Sequence, residues 1–164
     1  MPTLDEVYKK FGEVSEAAQL LETEIGTLLL GSRVNDFVSL PETLENGILD
    51  SPFVIDSEAA REYLDQINAS TLGKLLKGLS SSAARPDRTT ELDLDFALKE
   101  RNRLAHRFYR QHNFRRNSGE GRAIMLRDLE SMHEVILRAY KAVNLLSGID
   151  LDALVAAQES SPQG

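Results

Sequence analysis

The sequence predicts an all-α protein, an up-down helical bundle of four to five helices. Three observations carry that reading. Apolar residues recur at three- and four-residue steps through several long stretches. No segment alternates with period two for long enough to make a convincing strand. The glycines, prolines and serines gather between the periodic stretches. A length of 164 residues suits one domain, read as residues 1–148, followed by a short, partly disordered tail at 149–164.

The first helix is expected over residues 4–30, with Leu4, Val7, Phe11, Val14, Ala18, Leu21, Ile25 and Leu28 on one side. Thr3 is its expected N-cap, with Glu6 completing a capping box, and Gly31 is its stop. Residues 31–56 read as a long loop, because Gly31, Ser32, Pro41, Gly47, Ser51 and Pro52 break every pattern. Phe37, Leu44, Ile48 and Phe53 are its expected anchors. A second helix is expected from Ser57 to about Asn68. A third follows, capped by Ser70 and reaching Leu79, with Leu72, Leu75, Leu76 and Leu79 apolar. Residues 80–87 form a Ser-rich link. The fourth helix is expected from about Thr90 to Tyr109. After a turn around Asn117 and Gly121, the fifth runs from about Arg122 to Leu146. Its expected apolar side holds Ile124, Leu129, Val135, Ile136, Ala139, Val143 and Leu146, and Gly148 ends it.

Composition removes several function classes. There is no cysteine, so a disulfide scaffold, a thiolate zinc site and a cysteine nucleophile are excluded. With no tryptophan and 6% aromatic residues, an extended stacking platform for single strands is poorly supplied. The acidic start has no signal-peptide character, and Leu28-Leu29-Leu30 falls far short of the ~20 apolar residues that span a bilayer. The expectation is a soluble, cytoplasmic chain without a membrane partner. No cofactor motif is present: nothing matches a P-loop, a dinucleotide fingerprint, a nucleophile elbow or a kinase set. The three histidines show no metal-ligand spacing.

The net charge of −7 is unevenly distributed. Residues 99–127 hold nine basic side chains against Glu100 and Glu120, a local net of +7. Residues 1–65 hold fourteen acids against four bases. An Arg-rich segment in an acidic protein is a place for phosphate, or else a solvated, salt-bridged helix face.

On a helical wheel the fourth helix carries Leu94, Leu98, Ala105 and Phe108 on one face, and Arg101 falls inside that stripe. A guanidinium there needs an acid, such as Glu22 or Glu24, a polar cleft or a second subunit. Asn102 and His106 are one turn apart, at one edge of the stripe.

The run Glu100-Arg101-Asn102-Arg103-Leu104-Ala105-His106 resembles the signature of HEPN domains (higher eukaryotes and prokaryotes nucleotide-binding), an Arg followed after four to six residues by His, often with Asn after the Arg. The resemblance extends over roughly residues 4–146 and is specific in 92–109. It implies a helical bundle of four or five helices and, in many members, a metal-independent endoribonuclease, often a toxin or phage-defence effector. It also implies a homodimer in which the Arg and His of both subunits converge in one cleft, and an antitoxin or other partner protein. Carried over, Arg101 would stabilise the scissile phosphate, His106 would be the general base or acid, and Asn102 would orient His106 or the phosphate. Arg103, Arg107, Arg110, Arg115 and Arg116 would contact the RNA backbone. One departure stands out. Where some members continue His-x-Tyr, this chain has Phe108, with Tyr109 one residue later.

The residue types fit that chemistry independently. Attack by an RNA 2′-hydroxyl needs a proton acceptor that titrates near neutrality, as imidazole does at about 6.5. It also needs a fixed cation for the phosphoryl oxygens, which Arg supplies through a rigid fork. Two rival readings remain. One is a catalytically silent HEPN-like module for nucleotide binding or protein assembly. The other, ranked last, is a helical DNA-binding regulator. His112 and His133 are expected to be structural.

Overall fold

The computed structural model describes residues 1–39 and 54–154. Within them lie seven α-helices, one 3-10 turn and one two-residue antiparallel pairing, so the chain is all-α in character. No helix among these residues is long and apolar enough to cross a membrane. Backbone contacts divide the chain into two compact units, Met1–Glu24 with Pro86–Gly164, and Ile25–Arg85.

The first unit begins with α1, Leu4–Ser32, of which residues 4–24 belong to it. The expected capping box is present. The Glu6 amide donates to Thr3 Oγ1 at 3.2 Å, and the Thr3 amide donates to Glu6 Oε2 at 2.6 Å. The Thr3 amide, and after it the Thr3 hydroxyl donating to the same Oε2 at 2.9 Å, hold the Glu6 carboxyl below its ordinary range. Val7, Val14, Ala17, Ala18 and Leu21 form the buried stripe.

Helix α5, Arg88–His106, starts two residues earlier than the sequence suggests, because Asp87 caps it by accepting from the Thr90 amide at 2.8 Å. It also ends three residues early. Arg107 leaves helical geometry at φ −129°, and a short α6, Phe108–Gln111, resumes after it. A wheel drawn straight through residue 109 therefore misplaces the last turn. Leu94, Ala97 and Leu104 are buried, Leu98 is half-buried and Ala105 is exposed. The break turns Phe108 fully into the core, 5.7 Å from the Phe11 ring.

After the 3-10 turn Arg115–Asn117, α7 runs over Gly119–Leu146 and packs along α5. Ser118 caps α7 through the Gly121 amide, three residues before the expected start. Its buried apolar positions are Gly121, Met125, Leu129, Met132, Ile136, Ala139 and Val143, and Asn144 is buried beside them. Ile124 and Val135 lie on the flank and Leu146 is exposed, so the true stripe is rotated toward the two methionines. Gly148 closes the helix at φ +78°, a value only glycine adopts cheaply. Residues 151–154 begin another helical turn, and the rest of the tail lies outside the described residues.

The second unit holds residues 25–32 of α1, then α2 (Val34–Phe37), β1 (Val38–Ser39), β2 (Val54–Ile55), α3 (Ser57–Asn68) and α4 (Leu72–Ser80). Val38 pairs with Ile55 and Ser39 with Val54, a pairing too short to leave an alternating pattern in the sequence. Phe37 is buried against the Tyr63 ring, and Arg33 lies 4.6 Å over that ring. Leu44, Ile48 and Phe53, the other expected anchors, lie outside the described residues. Asp56 caps α3. Thr71, not Ser70, precedes α4, because the Ser70 hydroxyl instead donates back to the Gln66 carbonyl at 2.7 Å. The four leucines expected to be apolar in α4 are all buried.

Candidate active site

Arg101 sits in the middle of the buried side of α5, between Leu94, Ala97 and Leu104. Its Nε donates to Glu22 Oε1 on α1 at 2.9 Å, with both side chains about one-quarter exposed. An acid from the first helix thus meets the guanidinium, as the stripe required. The pair lines a pocket of about 230 Å³ with Phe11, Ser15, Ala18, Gln19, Leu104 and Ala105.

Arg101 Nη1 also donates to Asn102 Oδ1 at 3.3 Å. Because Arg has no acceptor, the amide oxygen must face it, and the Asn102 amino group is left to point elsewhere. Asn102 and His106 are both exposed. They line a second, open groove of about 590 Å³ together with Lys99, Glu100, Arg103 and Arg107. Among the described residues the His106 ring has no hydrogen-bond partner. Within one chain, then, Asn102 and His106 share a groove, while Arg101 opens into its neighbour and reaches them only through the Asn102 oxygen.

The five arginines expected on the RNA backbone separate into two groups. Arg103 is committed inside the protein. Its guanidinium grips Asp128 of α7 through two bonds, at 2.8 and 2.9 Å, and Glu100 at 2.6 Å. The Asp128 bonds, with help from Glu100 and against burial, raise its already high pKa. Arg107, Arg110, Arg115 and Arg116 are exposed, and among the described residues none makes an ion pair with a carboxylate.

Behind Arg103 lies a network that the sequence reading missed. His112, only 4% exposed, places Nε2 2.6 Å from Asp128 Oδ2 and Nδ1 3.0 Å from Arg115 Nη1. Arg can only donate, so Nδ1 accepts and the ring proton sits on Nε2, donated to Asp128. Burial pushes the Asp128 carboxyl up. The hydrogen bonds from Arg103 and His112, with the Arg103 charge, outweigh it and hold the carboxyl below its ordinary value. His112 is thus structural, as expected, and its ring also stacks 4.6 Å from Phe108. The one sequence signal for Asp128 was its position next to Leu129 on the rim of the α7 stripe, just beyond the basic segment.

His133 lies at the core edge, with Lys10 donating to its Nδ1 at 2.9 Å. Burial, then the Lys10 charge, push its pKa down. Phe108 is wholly buried. Tyr109 is 41% exposed and stacks 5.3 Å from Phe11; burial, then the neighbouring Tyr8, raise its pKa. Among the described residues, no group of three His, Asp or Glu side chains is placed to hold a metal ion. Comparison with protein-family models, with curated proteins and with solved structures returns no match.

Proposed function

We propose that this chain is a metal-independent endoribonuclease of the HEPN type, a toxin or phage-defence effector, that works as a homodimer. The observation that supports it most is the exposed Asn102–His106 groove, lined also by Lys99 and by Arg107, which among the described residues makes no ion pair with a carboxylate. A protein with 26 acids has ample means to neutralise a merely solvating basic segment. An exposed guanidinium, Arg107, in one groove with an unengaged imidazole suits a phosphodiester.

In this reading the RNA 2′-hydroxyl attacks the adjacent phosphorus. His106 takes the hydroxyl proton, the bond to the 5′-oxygen breaks, and the partner subunit's His106 protonates that leaving oxygen. Arg101, turned from Glu22 toward the phosphate, holds charge developing on the phosphoryl oxygens, and Asn102 orients the imidazole. The products carry 2′,3′-cyclic phosphate and 5′-hydroxyl ends. A second copy answers the geometry, because Arg101 and His106 of one chain open into different grooves.

The Arg101–Glu22 pair favours one rival. A guanidinium held by a carboxylate is already satisfied, which suits a silent HEPN-like module for nucleotide binding or assembly. Incubating a mixed transfer-RNA and messenger-RNA pool in EDTA with wild-type protein and His106→Ala separates the two. Cutting that leaves cyclic phosphate ends, absent in the variant at unchanged helical circular dichroism, supports the enzyme. Two folded, inactive proteins favour the module.

A further inference from the structure

Phe114 is 79% exposed, the most exposed large apolar side chain of the described residues apart from Met1. It precedes Arg115 and Arg116 on the 3-10 turn between α6 and α7. An apolar ring in water at the tip of a turn is usually tolerated because the turn is loose. This turn is tied at every side. Buried His112 anchors its start to Asp128 and holds Arg115. Arg122 donates to the Arg116 carbonyl at 2.9 Å, and Ser118 caps α7. Gly121 lies so close under the Arg115 backbone that no Cβ would fit between them. The Asn117 amide donates to the Phe114 carbonyl at 3.2 Å. The fold therefore invests part-buried hydrogen bonds in fixing the backbone that carries an exposed ring and its adjacent guanidiniums. Such preorganisation lowers the ordering cost of binding.

We propose that Phe114 is a stacking residue for one unpaired base of a single-stranded RNA, with Arg116 and Arg110 taking the flanking phosphates. The occupant follows from the chemistry. An apolar ring alone would suit a protein, but a ring among exposed arginines without carboxylate partners suits a ligand that is flat, apolar on its faces and anionic along its spine. A single ring holds one base, in keeping with the scarcity of aromatic residues. The inference rests on the ribonuclease reading for its ligand, and it assigns Phe114 to binding, away from the reacting phosphate.

The test is fluorescence anisotropy with two labelled 12-nucleotide strands of equal charge. One is 2′-O-methyl RNA, which cannot supply the attacking hydroxyl, and the other is an abasic strand. Wild-type protein should bind the base-bearing strand about tenfold or more tightly than the abasic one. Phe114→Ala should erase that difference with an unchanged melting temperature, and Phe114→Trp should restore it. Arg116→Ala should weaken both strands alike and flatten their salt dependence. Equal binding of the base-bearing strand by wild type and Phe114→Ala overturns the proposal. So does a wild-type dimer that Phe114→Ala converts to monomer in light scattering, which would assign the ring to a protein interface. Cleavage of unmodified RNA is read separately. A protein that shows the stacking difference yet never cuts retains the Phe114 assignment and refutes the enzyme.

Discussion

Arg101 donates to Glu22 across 2.9 Å from within the apolar side of α5. That bond decides how Arg101 sits relative to His106 in a single chain, because it turns Nε toward α1 while His106 lines a separate groove. Its structural role and the catalytic role proposed for it are separable. Arg101→Lys keeps a cation facing Glu22, so the melting temperature should fall by only a few degrees. It loses the planar fork, so RNA cleavage should fall about 100-fold. Glu22→Gln should cost about 1 kcal/mol in urea unfolding and leave cleavage standing.

Asp128 joins three elements through Arg103 and His112. Asp128→Asn leaves Arg103 with Glu100 as its one carboxylate, beside the Gln111 amide oxygen, and should destabilise the protein by about 2–4 kcal/mol. Amide exchange should speed up first in residues 112–118, the turn this carboxylate anchors. Uniform protection across that turn in the variant would contradict the anchoring role.

The same carboxyl gives an acid limb to stability. Its folded pKa lies below the ordinary value of 3.8, so the unfolded chain binds the proton first as pH falls. The stabilisation is complete above that ordinary value and is lost as pH falls through the lower, folded one. Urea midpoints for wild type should drop through this window more steeply than those of Asp128→Asn.

His133 acts in a separate window. Burial and Lys10 depress its folded pKa below 6.5, so the neutral ring is the form the fold accommodates. Its contribution is present above about pH 6.5 and is lost as pH falls through the folded value. His133→Gln should flatten the urea midpoint between about pH 7 and 5, while wild type declines.

Gly121→Ala would drive a methyl into the Arg115 backbone, which has little freedom to move. The expected cost is about 2–4 kcal/mol, read as a lower melting temperature by circular dichroism. A melt within a degree of wild type would mean that the turn yields.

The helices were legible because their signals are local. The Thr3–Glu6 box, the four leucines of α4 and Gly148 each act within a few residues. The Arg101 anomaly was legible too, since a charge inside an apolar stripe demands an acid, and Glu22 was one of two named. The break at Arg107 was not, because no glycine or proline marks it. It follows from Phe108 entering the core beside Phe11 and His112, a tertiary choice. Asp128 lies on α7 and His112 in the turn after α6, 16 residues apart, so no spacing rule joins them. The two-residue pairing of β1 and β2 is shorter than any alternation can register. Phe114 gave no sign in the sequence, since exposure at a turn is a property of the folded chain.

The most direct test of the account is the single-turnover rate of RNA cleavage in EDTA for wild type, Arg101→Ala, His106→Ala and the double variant, each shown to be folded. Groups that act as one catalytic unit lose their effect together. The account predicts a loss of at least about 100-fold in each single variant, with the double variant no slower than the worse of the two. A folded His106→Ala protein that cuts at the wild-type rate would contradict it.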